Sequence, residues 1–284
     1  MDGRMETPVL LVGVGHTDAN GGLMEVATHI ARHEGYEVVA VHVVDVPPQA
    51  NLGSVRGSPE MIEARERLLV AIRQAAGGDV AVKGVVEVAR EVDEGLVSAA
   101  ESQNASLILL GYSEPDDEEE EGEAERRFDR VMHKVARTAE ADLVVAKLRH
   151  EEVGSILLPI DRGTNLAVSG MLARSLSRAY KAPVTILHLL REDEDEAAIR
   201  DQLKARLAEE GLEDLGELVV EMADEQVPLL DRMLELANRH DVSILGAQPR
   251  PSIAESIFGS WPNRIAREAD CTVLVVRAKS TLES

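Results

Sequence analysis

The chain has 284 residues with 44% hydrophobic and only 2% aromatic side chains, enough for about two domains whose cores must be Val, Leu, Ile and Ala. Its formal charge of −22 sets it against nucleic acid and anionic membranes, which carry the same sign. Only six lysines (83, 134, 147, 181, 204, 279) accompany the arginines. An acidic, lysine-poor surface suits a salt-rich cytoplasm where screening relieves self-repulsion, so a halophilic source is expected, with GC-rich codon usage as the alternative reason for the arginines. The lone Cys271 excludes an intrachain disulfide, fits a reducing compartment and reads as a buried small hydrophobe. No run approaches the roughly 18 apolar residues of a membrane span, and no signal peptide is expected before Val9. The expectation is a soluble cytoplasmic protein.

In chain order, Val9 to Val14 is an unbroken apolar run, a buried strand. Leu23, Val26, Ala27, Ile30 and Ala31 follow at helical spacing, and Gly35 ends that helix. Val38 to Val44 is a second strand, and Pro47 to Pro59 a long loop. The pattern then predicts a helix over Glu60–Ala76, a strand over Val80–Val88, a helix over Asp93–Ser102 and a strand over Leu107–Leu110. A helix over Phe128–Thr138 and a strand over Leu143–Ala146 close the first half.

The second half repeats the first. An offset of 146 pairs Leu10 to Gly15 with Ile156 to Asp161, and without a gap pairs Val26/Leu172, Ala27/Ala173, Ile30/Leu176 and His42/His188. Gly111 and Gly246 pair at an offset of 135, Phe128/Phe258 and Val144/Leu274 at 130. Falling offsets put two extra loop insertions in the first half. Domains over 1–150 and 151–284 follow. Apolar strands alternating with helices predict an α/β fold with doubly wound parallel sheets, whose ligand sites lie at the C-terminal strand ends.

Those ends gather the candidate residues Asp161, the residues after His188, Gly246, Gly259 and Ser260. Glycine at a strand end allows close backbone approach. Ser260 is a good helix N-cap with Pro262 in the first turn, and such a helix start is a ready anion site. The first half has Gly15 in place of Asp161 and Asp129-Arg130 in place of Gly259-Ser260. Its run Asp116-Asp117-Glu118-Glu119-Glu120-Glu121, with Glu123 and Glu125 beyond, reads as a solvated loop that repels a triphosphate. Those carboxylates offer at most weak, unspecific hydrated Mg²⁺ or Ca²⁺ binding. The first half is therefore not expected to hold a phosphate-bearing ligand.

Other chemistry finds little support. There is no Gly-rich run ending in Gly-Lys-Ser/Thr, no G-x-G-x-x-G after a strand, and no His or Cys cluster at metal-ligand spacing. His42 and His188 read as packed, hydrogen-bonded strand residues, and His16 as a polar loop residue or a diverged ligand site. Ser256, Ser260, His240 and Asp161 could form a triad only on paper, with no G-x-S-x-G elbow behind it.

The motifs ILLPID (156–161), LHLL (187–190), HVVDVP (42–47) and the loop from Gly246 to Ser260 resemble the universal stress protein family in a tandem form. The resemblance covers nearly the whole chain. It implies two adenine-nucleotide-alpha-hydrolase-like (Rossmann-like) domains packed as an internal pseudo-dimer, with a further homodimer conceivable. The nucleotide-binding branch carries Gly, two residues, Gly, nine residues, then Gly-Ser or Gly-Thr. Here Gly246, Gly259 and Ser260 keep the spacing, and Pro249 replaces the middle glycine. Carried over, Asp161 would face adenine or ribose, Leu189 would offer backbone to the adenine edge, and Gly246, Gly259, Ser260 and Trp261 would line the phosphates of ATP held with Mg. Pro249 fixes φ and supplies no N–H. Three functions stay open: a non-catalytic stress-response module binding ATP or a related nucleotide in the second half only, a cytoplasmic regulatory domain of or partner to an amino-acid permease or other transporter, and a slow ATPase using Asp161.

Overall fold

The computed structural model describes residues 7–15, 20–49, 55, 57–75, 79–112, 121–149, 152–161, 165–192, 194–223, 227–247 and 260–279. The chain divides into two compact units, Met1–Ala146 and Lys147–Ser284. In the first, β1 (Val9–Gly13), α1 (Asn20–Glu34), β2 (Glu37–Asp45), α2 (Pro59–Ala75), β3 (Val82–Ala89), α3 (Val92–Ser102), β4 (Ala105–Gly111), α4 (Glu121–Thr138) and β5 (Asp142–Lys147) alternate strictly. The strands are parallel in the order β3-β2-β1-β4-β5. The order reverses beside β1, so a crevice opens between the ends of β1 and β4. Helices α1 and α2 pack together, as do α3 and α4. The central strands carry the core: Leu10, Leu11 and Val12 of β1, Leu107 to Leu109 of β4 and Val144 of β5 are all fully buried. Each such aliphatic contributes roughly 1.5–3 kcal/mol on leaving water.

The second unit repeats this with β6 (Ile156–Pro159), α5 (Leu166–Tyr180), β7 (Val184–Leu190), α6 (Glu196–Glu209), β8 (Glu217–Met222), α7 (Leu229–Ala237), β9 (Val242–Gly246), α8 (Ser260–Glu268) and β10 (Thr272–Arg277). Its parallel order is β8-β7-β6-β9-β10. The repeat extends to single hydrogen bonds. Val14 N donates to Val41 O at 2.8 Å and Ile160 N to Leu187 O at 2.8 Å, while Tyr112 N and Ala247 N reach Ala146 O and Val276 O, both at 2.7 Å. Helices α1 and α5 even end on the same left-handed turn. Gly35 (φ 78) makes it in one unit and Lys181 (φ 57) in the other, where an L-residue costs about 1 kcal/mol more than glycine.

Two features go beyond or against the sequence reading. The edge strands β3 and β8 are only partly buried, because an edge strand has one neighbour and is not covered like the centre of the sheet. Helix α4 begins at Glu121 rather than near Phe128, so Glu121, Glu123 and Glu125 belong to a helix rather than a loop. Carboxylates in a helix's first turns complement its positive end, which the apolar periodicity alone does not register. Residues 113–120, which hold the acidic run up to Glu120, lie outside the described residues. Farther along α4, Lys134 meets Asp93 of α3 at 2.7 Å, and this pairing accompanies an almost fully buried Asp93 carboxylate.

Candidate functional site at the β6–β9 crevice

In the second unit the strand order reverses beside β6. Strand β6 ends at Pro159, Ile160 makes one more bond to β7, and the exposed Asp161 follows. Arg206 of α6 donates to the Asp161 carbonyl, so the chain leaves the sheet held against that helix.

His188 decides how the strand ends. Its Nδ1–H donates to the Ile160 carbonyl at 2.8 Å. The bond places a hydrogen on Nδ1 and leaves Nε2 buried with no hydrogen-bond partner among the described residues. His42 makes the matching bond to Val14 O at 2.7 Å. Both histidines are thus hydrogen-bonded strand residues that engage the carbonyl one residue past the end of the neighbouring strand. Backbone groups in a parallel strand alternate sides. Leu187 O faces β6 and Leu190 O accepts from Ala223 beyond β8. The backbone of Leu189 is therefore turned towards β6, at a level where β6 has already ended.

Sequence reasoning missed Asn165. It lies just before α5 and is 5% exposed, but its side chain does not cap its own helix. Nδ2 donates to Ala247 O at 2.8 Å and Oδ1 accepts from Ala278 N at 2.9 Å. One amide thus ties together the ends of β9 and β10. Gly246 packs against it: a Cβ there would stand 3.1 Å from Asn165 Nδ2 and 3.3 Å from its Cβ. The glycine answers this close approach at negative φ, so no unusual backbone conformation is involved. An Asn before a helix ordinarily reads as an N-cap, which masks a cross-strand role. Its repeat position in the first half is Ala19.

Helix α8 opens at Ser260, with a buried Pro262 in its first turn. Gly259, the motif-breaking Pro249 and the side chains of Ser260 and Trp261 lie outside the described residues. The first unit differs here. Ser260 matches Arg130, and α4 runs 18 residues against 9 for α8, so it starts at Glu121, about 14 Å earlier along the helix axis at 1.5 Å per residue. Gly15, at the place of Asp161, is exposed, and a Cβ there would meet nothing within 4 Å. Among the described residues no group of three or more His, Cys, Asp or Glu could hold a metal ion. The Ser256–Ser260–His240–Asp161 set gains nothing, since His240 is spent on Leu236 O at 2.9 Å and Thr185 Oγ1 at 3.4 Å.

Cys271, 2% exposed beside β10, has its thiol pushed up to about 11 by burial. A thiol held neutral above its unfolded value near 9 stabilises the fold fully below that pH, and the contribution disappears as pH rises through about 11. Stability is expected to fall by about 2 kcal/mol across this window, a fall that Cys271→Ala removes. At pH 8 the native thiol should resist an aromatic disulfide reagent that reacts at once after unfolding. Rapid native labelling would contradict this burial.

The whole chain compares closely with known folds. The universal stress protein family model matches twice, over residues 8–147 and 153–277. A universal stress protein from Archaeoglobus fulgidus DSM 4304 superposes with a TM-score of 0.64 at 15% identity, covering 95% of this chain and 96% of that one. The cytoplasmic domain of a prokaryotic cation chloride cotransporter gives 0.60 at 13% identity, covering 96% of each chain. The universal stress protein from Archaeoglobus fulgidus in complex with dAMP aligns with 49% of this chain and 96% of its own, at 20% identity and a TM-score of 0.38. No curated protein sequence matches the chain significantly. No helix among the described residues is long and apolar enough to cross a membrane. With family matches over both units, the chain belongs to the universal stress protein family, as a tandem of two such domains.

Proposed function

We propose that the protein is a non-catalytic regulatory module of the stress-response type that binds an adenine nucleotide, ATP with Mg²⁺, in its second unit and none in its first. The observation that carries this reading is the unequal start of two matching helices. Helix α8 opens at Ser260, beyond the end of β9, whereas α4 continues through the matching position and begins among glutamates. A helix start offers unbonded N–H groups and a positive dipole end to phosphate. The interior of a helix has its N–H groups already bonded, and Glu121, Glu123 and Glu125 add repulsion. Around that start, the exposed Asp161 would take adenine or ribose and the backbone of Leu189 the adenine edge. Gly246, Gly259, Ser260 and Trp261 would line the phosphates. No residue is assigned as nucleophile or general base, and phosphate release should stay at the uncatalysed level.

The test is mass analysis of the denatured, freshly purified protein for carried nucleotide, followed by calorimetric titration of Mg-ATP. Wild type should bind, and Gly259→Asp, which installs the first unit's residue, should weaken binding by at least about tenfold, or 1.4 kcal/mol. No binding at millimolar Mg-ATP would overturn the nucleotide reading. Hydrolysis that Asp161→Ala abolishes while binding persists would overturn the non-catalytic one. A second reading, regulation of an amino-acid permease or other transporter without nucleotide, is favoured by the likeness to the cotransporter's cytoplasmic domain. Membrane spans encoded next to this chain, together with absent nucleotide binding, would decide for it.

A further inference from the structure

Helix α2 carries three large aliphatic side chains in water: Ile62, Leu69 and Val70 are 52%, 51% and 51% exposed. Its inner face is ordinary core, with Met61, Ala64, Leu68, Ala71 and Ala75 buried. The matching helix α6 buries Ile199, Leu203 and Leu207 in the same rhythm, yet has Ala197, Lys204 and Ala205 where α2 has the exposed aliphatics. The apolar outer face is therefore a property of α2, beyond what the fold requires.

Charge says what fits this face. A chain of net charge −22 repels its own copies over most of its surface, but α2 balances Glu60, Glu63 and Glu66 with Arg65, Arg67 and Arg73. Arg67 is spent on Glu63 within the helix. Arg65, Glu66 and Arg73 have no ion pair among the described residues. Ile62, Glu66, Leu69 and Arg73 form one stripe at helical spacing, with Arg65 beside it.

We propose that this stripe is a self-association surface, on which α2 of a second copy of the chain lies antiparallel about a two-fold axis between Arg65 and Glu66. That register sets Ile62 against Leu69 of the partner subunit and Arg65 against Glu66 of the partner subunit, each contact occurring twice as an isologous interface demands. The aliphatic pairs lie about 10 Å apart along the axis, two helical turns. One helix pair covers less than the roughly 1,200 Å² of a standard interface. The dimer is accordingly weak and concentration-dependent, and the acidic surfaces around it limit further growth.

Sedimentation equilibrium of the full chain from about 1 to 500 µM at physiological ionic strength tests this, with a dissociation constant expected in the tens of micromolar. Leu69→Glu and Glu66→Arg should each weaken the dimer about tenfold or more, with thermal melts close to wild type because both side chains face solvent. Combining Arg65→Glu with Glu66→Arg reverses both charges and should restore association to within about threefold of wild type. A chain monomeric throughout the range, a dimer indifferent to Leu69→Glu, or a double reversal no better than Glu66→Arg alone would each overturn the proposal.

Discussion

Asn165→Ala is expected to lower the unfolding free energy of the second unit by about 3 kcal/mol. The truncation removes two bonds of 2.8 and 2.9 Å at once, and it leaves the Ala247 carbonyl and the Ala278 amide facing a void. A buried backbone group without a partner costs about 1–3 kcal/mol, more than the bond itself contributes in exchange with water. The loss should be local to the ends of β9 and β10. Denaturant unfolding followed by fluorescence of Trp261, the single tryptophan of the chain, reads the unit concerned. Amide exchange should quicken first at Ala278, whose N–H loses its acceptor. A loss below about 0.5 kcal/mol would mean that water replaces the amide and that the bridge is not structural.

Gly216→Ala should cost about as much, for a steric reason. A Cβ at Gly216 would lie 2.1 Å from the Val184 carbonyl oxygen and 2.8 Å from the Val184 Cβ. A backbone oxygen in a strand cannot swing aside as a side chain does, so β8 must shift from β7 or lose its first bonds. We expect about 3 kcal/mol of destabilisation, the upper end for overpacking, measurable in the same unfolding assay. As a contrast, Gly211→Asn, in an exposed left-handed turn (φ 64) with nothing near a Cβ, should cost well under 1 kcal/mol because Asn adopts that conformation readily. A tolerated Gly216→Ala would show that the register of β7 and β8 is soft.

Much of the fold was legible because the internal repeat and the apolar strands speak together. The gap-free offset from Leu10 to His42 reappears as matching bonds, Val14–Val41 and Ile160–Leu187. What escaped was information that periodicity does not carry. The start of α4 at Glu121 falls in a stretch without apolar spacing. Asn165 acts through partners 82 and 113 residues away in sequence, and an asparagine at a helix start has an ordinary local explanation that hides them. Of the site residues, Asp161 follows β6, Leu189 lies near the end of β7 and Gly246 ends β9, while Ser260 is the first helical residue of α8, one position past the N-cap that its sequence suggested. Gly259 and the Trp261 side chain fall outside the described residues, and sequence spacing alone speaks for them.

The connections on the opposite side of each sheet changed little in length. The link 139–141 between α4 and β5 equals 269–271 in the second unit, while 35–36 and 76–81 are each one residue shorter than 181–183 and 210–216, and 103–104 two shorter than 238–241. Length changed more between β2 and α2 and between β4 and α4, both on the crevice side. This gives a practical guide for engineering. A peptide tag or circularly permuted terminus placed between Val46 and Ser58 enters where the duplicated halves already differ in length. The same insertion at Gly35 would break a left-handed helix ending that the two halves share down to its hydrogen bonds.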